Sequence, residues 1–185
     1  MIYFTSDLHL CHDKEFIYKQ RGFNNIKEMN QTIVENWNNI VKPQDEVYIL
    51  GDLMLYDDIE GMRLIQKLNG KLHIILGNHD NTNRIKLFQK LPQKIVDIVY
   101  ATTFKYEGYH FFLSHYPTIT TNFNDSHKPL ENIIISLYGH THQKDNFYNN
   151  VPYIYHVGVD SHNLTPISIE QIIEDIKNKF YKDKK

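Results

Sequence analysis

The chain has little cysteine, no long apolar run and no excess of either charge. One cysteine in 185 residues leaves no internal disulfide framework, which suits a reducing compartment, the cytoplasm. The longest apolar stretches are a handful of residues, far short of the ~20 that span a bilayer, so no membrane role is expected. Residues 1–7 carry no basic stretch followed by an apolar one, so no signal peptide is visible. Twenty Lys+Arg against 22 Asp+Glu give a net charge of −2, which argues against bulk electrostatic capture of nucleic acid. There is no internal repeat, low-complexity segment or Pro/Gly/Ser-rich linker. Residues 1–185 therefore read as one domain, long enough to bury a core. Aromatics at 13% and regular apolar runs argue against disorder. Against these absences stand eleven histidines, more than a plain structural domain needs.

Short near-continuous apolar runs predict strands buried on both faces at 2–4, 47–50, 72–76, 111–113, 133–138 and 153–157. One or two weaker strands are expected between Ile95 and Tyr106. Ile26, Met29, Ile33, Trp37 and Ile40 follow a 3,4,4,3 spacing and predict a helix. Asn25 and Glu28 form its capping box, and Pro43 follows its end. Ile59, Met62, Ile65 and Leu68 predict a second helix, closed near Gly70. A third starts at Ser168, capped with Gln171, and buries Ile169, Ile172, Ile173, Ile176 and Phe180. The alternation in the first half implies an α/β fold with parallel strands. The strand-rich second half implies a mixed sheet or two packed sheets. Lys182 to Lys185 read as a frayed charged tail.

Five predicted strands end in polar clusters: Asp7-Leu8-His9, Gly51-Asp52, Gly77-Asn78-His79-Asp80, His115, and Gly139-His140-Thr141-His142. In open α/β sheets ligands bind outside the carboxyl ends of the strands, so these groups can converge from distant parts of the chain. Carboxylate, amide oxygen and imidazole suit borderline divalent metals, and the absence of clustered Cys argues against a structural zinc site. There are more ligands than one ion needs, so two ions are expected. A pair bridged by a carboxylate at ~3.5–4 Å clamps a phosphoryl oxygen and acidifies a bridging water for in-line attack.

These five motifs, in order from residue 7 to 142, resemble those of the calcineurin-like metallophosphoesterases. The resemblance implies a four-layer α-β-β-α sandwich of two mixed sheets flanked by helices. It also implies that Asp7, His9 and His142 hold one metal, that Asn78, His115 and His140 hold the other, and that Asp52 bridges them. His79 would protonate the leaving oxygen or stabilise developing charge, with Asp80 orienting it; Asp80 capping a helix that starts near Asn81 is the plainer alternative. The two divalent ions would be Mn first, with Fe, Ni, Co or Zn as alternatives. Asp52 is followed by Leu53-Met54-Leu55 rather than Arg-Gly, and the third motif ends in Asp80 rather than Glu, which disfavours the phosphoprotein phosphatases. The DNA-repair nucleases share the Asn-His-Asp ending but add a capping domain, and 185 residues barely cover the core. The chain is most similar to the small single-domain bacterial and phage phosphoesterases, whose segments His12, Arg21-Gly22-Phe23 and Val157-Gly158-Val159-Asp160 also resemble. Gly22 stands where proline is more usual.

The expected activity is hydrolysis of phosphate esters, phosphodiesters first, in a small molecule or nucleotide substrate. A nuclease acting on single-stranded nucleic acid is the runner-up, disfavoured because no Lys/Arg stripe with interleaved aromatics stands out. A binding scaffold that lost turnover is disfavoured because every motif position is filled. Asn78, His12 and Arg21 are candidate substrate contacts; Arg21 reads equally as a phosphate clamp or a surface ion pair. His73, His110 and His156 sit in or beside strands and read as packed or surface residues; His127 and His162 also lie outside the motifs. Cys11 reads as a small hydrophobe near the site, Trp37 as core, and Tyr116–Asn132 as a wall of the site or a plain surface loop.

Overall fold

Apolar runs and 3,4-spaced apolar faces alternate in the sequence. The computed structural model, which describes residues 1–121 and 128–182, gives each an element. In chain order these are β1 (Ile2–Thr5), α1 (Glu15–Tyr18), α2 (Ile26–Ile40), β2 (Glu46–Leu50), α3 (Asp58–Lys67), β3 (Lys71–Ile75) and α4 (Thr82–Phe88). Then follow β4 (Ile95–Val99), β5 (Ala101–Tyr106), β6 (Tyr109–Ser114), β7 (Ile134–Tyr138), β8 (Ile154–His156), β9 (Ile167–Ser168) and α5 (Ile169–Lys182). His127 and Asp183–Lys185 lie outside the described residues.

The chain is an α/β sandwich of two mixed sheets flanked by helices. The first sheet has the order β4-β3-β2-β1-β9, with β1 to β4 parallel and β9 antiparallel to β1. The second has the order β5-β6-β7-β8, with β5 antiparallel to β6 and the other pairs parallel. Phe4, Leu50 and Ile75 from the first sheet share one apolar cluster with Phe111, Leu113, Leu137 and Tyr155 from the second, and Ile172, Ile173 and Ile176 of α5 join it. On the other face of the first sheet, Val47, Ile49, Leu72 and Ile74 pack with Met29, Ile33 and Trp37 of α2, Leu64 and Ile65 of α3, and Phe88 of α4. Each such side chain taken fully from water contributes ~1.5–3 kcal/mol, which fixes the strand ends that carry the polar motifs.

The caps follow the sequence with small differences. The Asn25 side chain accepts from the Glu28 amide at 2.9 Å, while the Glu28 carboxylate reaches back to the Asn24 amide, one residue beyond a reciprocal capping box. Ser168 accepts from the Gln171 amide at 3.2 Å and opens α5. The face of α3 differs from the expected one: Leu64, Ile65 and Leu68 are buried, whereas Ile59 is 72% exposed. Gly61, Leu64, Ile65 and Leu68 also repeat at helical spacing, and Ile59 lies two residues, about 200°, from Gly61 on the helix. The Ile95–Tyr106 stretch gives two strands in different sheets, β4 closing the first and β5 opening the second. The two-residue β9 and the short α1 were not anticipated, having too few residues to show a period. Among the described residues no helix is long and apolar enough to cross a membrane.

Candidate metal centre

The carboxyl ends of β1, β2 and β3 in one sheet and of β6 and β7 in the other point to one place, so all five polar motifs meet there. Backbone hydrogen bonds tie the motif loops together: Asp7 N donates to Gly51 O and His9 N to Asp52 O, both at 3.0 Å, and Gly139 N donates to His115 O at 3.0 Å. Asp7, His9, Asp52, His140 and His142 all have positive φ, between 50° and 69°. A left-handed non-glycine residue costs of order 1–3 kcal/mol and is kept where the surroundings impose it. Five of the seven candidate ligands adopt this conformation, so the assembly is locally strained. Two glycines give the motifs room. A Cβ at Gly77 would lie 2.2 Å from Asp52 Oδ1, and one at Gly139 would lie 2.5 Å from Asp7 Oδ2.

Asp7 is wholly buried. Its Oδ2 accepts from Ser6 Oγ at 2.6 Å and the His140 amide at 2.8 Å, but its Oδ1 has no hydrogen-bond partner among the described residues. That bare oxygen lies 3.9 Å from His9 Nε2 and 3.8 Å from His142 Nε2. The two Nε2 atoms are themselves only 3.1 Å apart. A second group forms beside it: Asn78 Oδ1 lies 2.8 Å from His115 Nε2 and 2.9 Å from His140 Nδ1, and those two nitrogens are 3.2 Å apart. Asp52 lies between the groups. Its Oδ1 accepts from the His79 amide at 3.0 Å. Its Oδ2 is 3.8 Å from His9 Nε2 in the first group and 3.6 Å from His115 Nε2 in the second.

This arrangement fits divalent cations. A buried carboxylate oxygen without a donor costs free energy unless a positive charge faces it. Asp7 with His9 and His142, and Asp7 with Asp52 and His115, each bring ligand atoms close enough to share one ion. The ring tautomers agree. His115 Nδ1 donates to Leu50 O at 2.8 Å and His142 Nδ1 to Asp160 Oδ2 at 2.8 Å, which leaves both Nε2 lone pairs facing inward. Burial, reinforced by His142 and Arg21, holds His9 well below its ordinary range, and burial with His115 lowers His140. Both rings are therefore neutral and free to bind a cation. Burial raises Asp7 despite His142 and His115. At His142 burial is outweighed by the hydrogen bond to Asp160, and the net shift is upward.

The remaining candidates fall around this core. His79 is 43% exposed at its side chain, with Nε2 3.9 Å from Asp52 Oδ2. Asp80 differs from both of its expected roles. Its Oδ2 accepts from the Gly77 amide at 2.8 Å and the Asp52 amide at 3.0 Å, so it braces two motif loops rather than touching the His79 ring. The cap of α4 is Asn81, whose side chain accepts from the Asn83 and Arg84 amides. Arg21 is neither a phosphate clamp nor a surface pair. Its side chain is 4% exposed. Nε and Nη2 grip Asp160 at 2.8 and 2.9 Å, and Nη1 and Nη2 also donate to Leu8 O and Asp7 O, with Nη1 at the Met29 sulfur as well. These contacts occupy all five N–H groups. His12 is buried, with Nδ1 3.0 Å from His9 Nδ1; burial, with His79 and Arg21 nearby, lowers it to about 4. Cys11 is buried beside Asn30, and burial pushes its thiol up to about 11, which makes it the inert hydrophobe expected. Tyr116 stands edge-on to His115 and His140, so the start of the Tyr116–Asn132 segment walls the centre; residues 122–127 of it lie outside the described residues.

Sequence reasoning gave no role to Asp160 or Arg84. Asp160 binds both Arg21 and His142, and these partners hold its carboxyl well below the usual carboxylate range although burial opposes them. Arg84 Nε pairs with Asp58 at 3.0 Å and its Nη1 donates to His79 O. The one signal for Asp160 was its place in the Val157-Gly158-Val159-Asp160 segment.

A family model described as the calcineurin-like phosphoesterase superfamily domain matches residues 1–164. An uncharacterized protein of Methanocaldococcus jannaschii is 33% identical over 184 residues, covering 95% of this chain and 91% of that one. The gene 66 protein of Mycobacterium phage D29 is 27% identical over 199 residues, covering 95% and 97%. The solved structure of a protein of unknown function from Aquifex aeolicus superposes with a TM-score of 0.67 at 25% identity, covering 94% of this chain and 98% of that one.

Proposed function

The chain belongs to the calcineurin-like phosphoesterase superfamily and is a metal-dependent phosphoric ester hydrolase, and on that premise we propose that it is a phosphodiesterase working with two divalent cations. In this reading residues 1–185 act as one domain. Asp7, His9 and His142 would hold one cation, Asn78, His115 and His140 the other, and Asp52 would serve both. The observation that carries the reading is the position of Asp52 Oδ2, within 3.8 Å of a ring nitrogen from each group. Manganese suits this mixture of carboxylate, amide and imidazole donors. When bound, such cations polarise the phosphoryl oxygens and make a water acidic enough to attack at neutral pH.

The chain's own residues do the rest. Asp80 holds the Gly77 and Asp52 amides, which fixes the loop carrying Asp52. Leu50 O and Asp160 orient His115 and His142 through their Nδ1 protons. His79 Nε2 stands at the open side of the centre, where a proton can pass to the departing ester oxygen. His12 abuts His9 from the cleft side and is the candidate contact for substrate.

Hydrolysis of bis(p-nitrophenyl) phosphate by protein stripped with a chelator tests this reading. Activity is expected to be absent in the stripped protein and restored by Mn²⁺. No turnover with Mn, Fe, Co, Ni or Zn would contradict it.

A further inference from the structure

Beside the centre lies a cleft of about 590 Å³. Its inner end is formed by His9, His79 and His142, so the organic arm of an ester whose phosphate sits at the centre can enter it. Ile17 and Leu55 are buried apolar residues in its wall. Farther out stand Phe16 and Tyr56, 59% and 60% exposed. They approach the same buried residue edge-on: the His12 ring centroid is 5.6 Å from that of Phe16 and 5.1 Å from that of Tyr56.

Two large aromatic rings left this open beside a reaction centre have apolar faces to offer, with the Lys14 ammonium over the Tyr56 ring, 5.3 Å from its centroid. An aliphatic arm could meet them only through scattered van der Waals contact. A flat ring system can lie against one or both, and stacking of this kind tolerates any base because each has a π-face. Charge points the same way. Lys144 lines the cleft together with Arg84, which is paired with Asp58, and among the described residues the one acid in its wall, Asp160, is already bound to Arg21 and His142. An anionic ester with a flat aromatic arm fits both features.

We propose that this cleft binds the organic arm of the substrate and selects a nucleoside-like aromatic arm stacked on Phe16 and Tyr56. The proposal rests on the phosphoesterase reading of the centre and narrows it to nucleotide-type esters.

Calorimetric titration of the Mn²⁺-loaded protein with adenosine 5′-monophosphate and with glycerol 3-phosphate tests it. Binding is read directly, so the outcome is independent of whether the nitrophenyl diester is turned over. The nucleotide is expected to bind at least about tenfold more tightly. Phe16→Ala and Tyr56→Ala together should remove that preference and leave glycerol 3-phosphate unchanged. Both side chains are exposed, so the double variant keeps its fold; an unchanged melting temperature checks this. Equal affinities in the parent protein, or a preference that survives the double variant, would overturn the proposal.

Discussion

Asp160 accepts the Nδ1 proton of His142 at 2.8 Å, and so turns the Nε2 of that ring toward Asp7. Asp160 is in turn fixed by two N–H groups of Arg21, a residue 139 positions away in the chain. The same guanidinium donates to the carbonyls of Asp7 and Leu8. One buried ion pair thus sets the geometry of the β1 loop and of the last motif together.

Asp160→Asn keeps the size of the side chain and removes its charge. Loss of a partner that orients a metal-binding histidine typically costs 10–100-fold in affinity. Mn²⁺ affinity of the Asn variant, measured by titration, is expected to fall about tenfold, with a lower melting temperature because the buried guanidinium loses its counter-charge. Asp160→Ala should also destabilise the protein by about 3–5 kcal/mol, because it leaves a buried guanidinium unpaired. Unchanged Mn²⁺ affinity in the Asn variant would remove Asp160 from the account.

His79→Ala separates proton donation from binding. A diester that departs as an alkoxide should be cleaved about 10²–10⁴-fold more slowly. A diester that departs as nitrophenolate needs no proton and should lose much less. Equal losses on the two substrates would rule out the acid role.

Stability should depend on pH through His156, which lies outside the ligand set. The ring is wholly buried, its Nδ1 meets Ser161 Oγ at 2.9 Å, and its Nε2 has no hydrogen-bond partner among the described residues. Burial, with His162 nearby, lowers it to about 3. An unfolded histidine titrates near 6.5, so between that pH and about 3 the unfolded chain binds the extra proton. Stability therefore falls as pH drops through this window, by at most about 1.4 kcal/mol per pH unit for this one group, and the group contributes no slope above it. Urea unfolding of chelator-stripped protein at several pH values from 4 to 8 should show a shallower decline for His156→Asn. Identical slopes would contradict the assignment.

The parts of the centre legible in the sequence were those that repeat a local pattern. An apolar strand followed by Asp, Asn or His needs only neighbouring residues to be seen, and β1, β2, β3, β6 and β7 all have it. Arg21 and Asp160 have no such pattern: each is a lone charged residue whose meaning depends on the other. The place of Asp80 is hidden in the sequence for a related reason. Its neighbour in sequence is His79, but the carboxylate turns away to the amides of Gly77 and Asp52, the latter 28 residues distant. The cleft was illegible as well, since Phe16 in α1 and Tyr56 in the loop before α3 meet only around His12.

The central proposal is that the Asp52 carboxylate would serve two divalent cations. Electron paramagnetic resonance of chelator-stripped protein titrated with Mn²⁺ reads this directly. The account predicts two ions per chain with the spectrum of a coupled pair, and loss of that coupling in Asp52→Asn. Saturation at one ion, or two ions that give only the spectrum of isolated Mn²⁺, would contradict it.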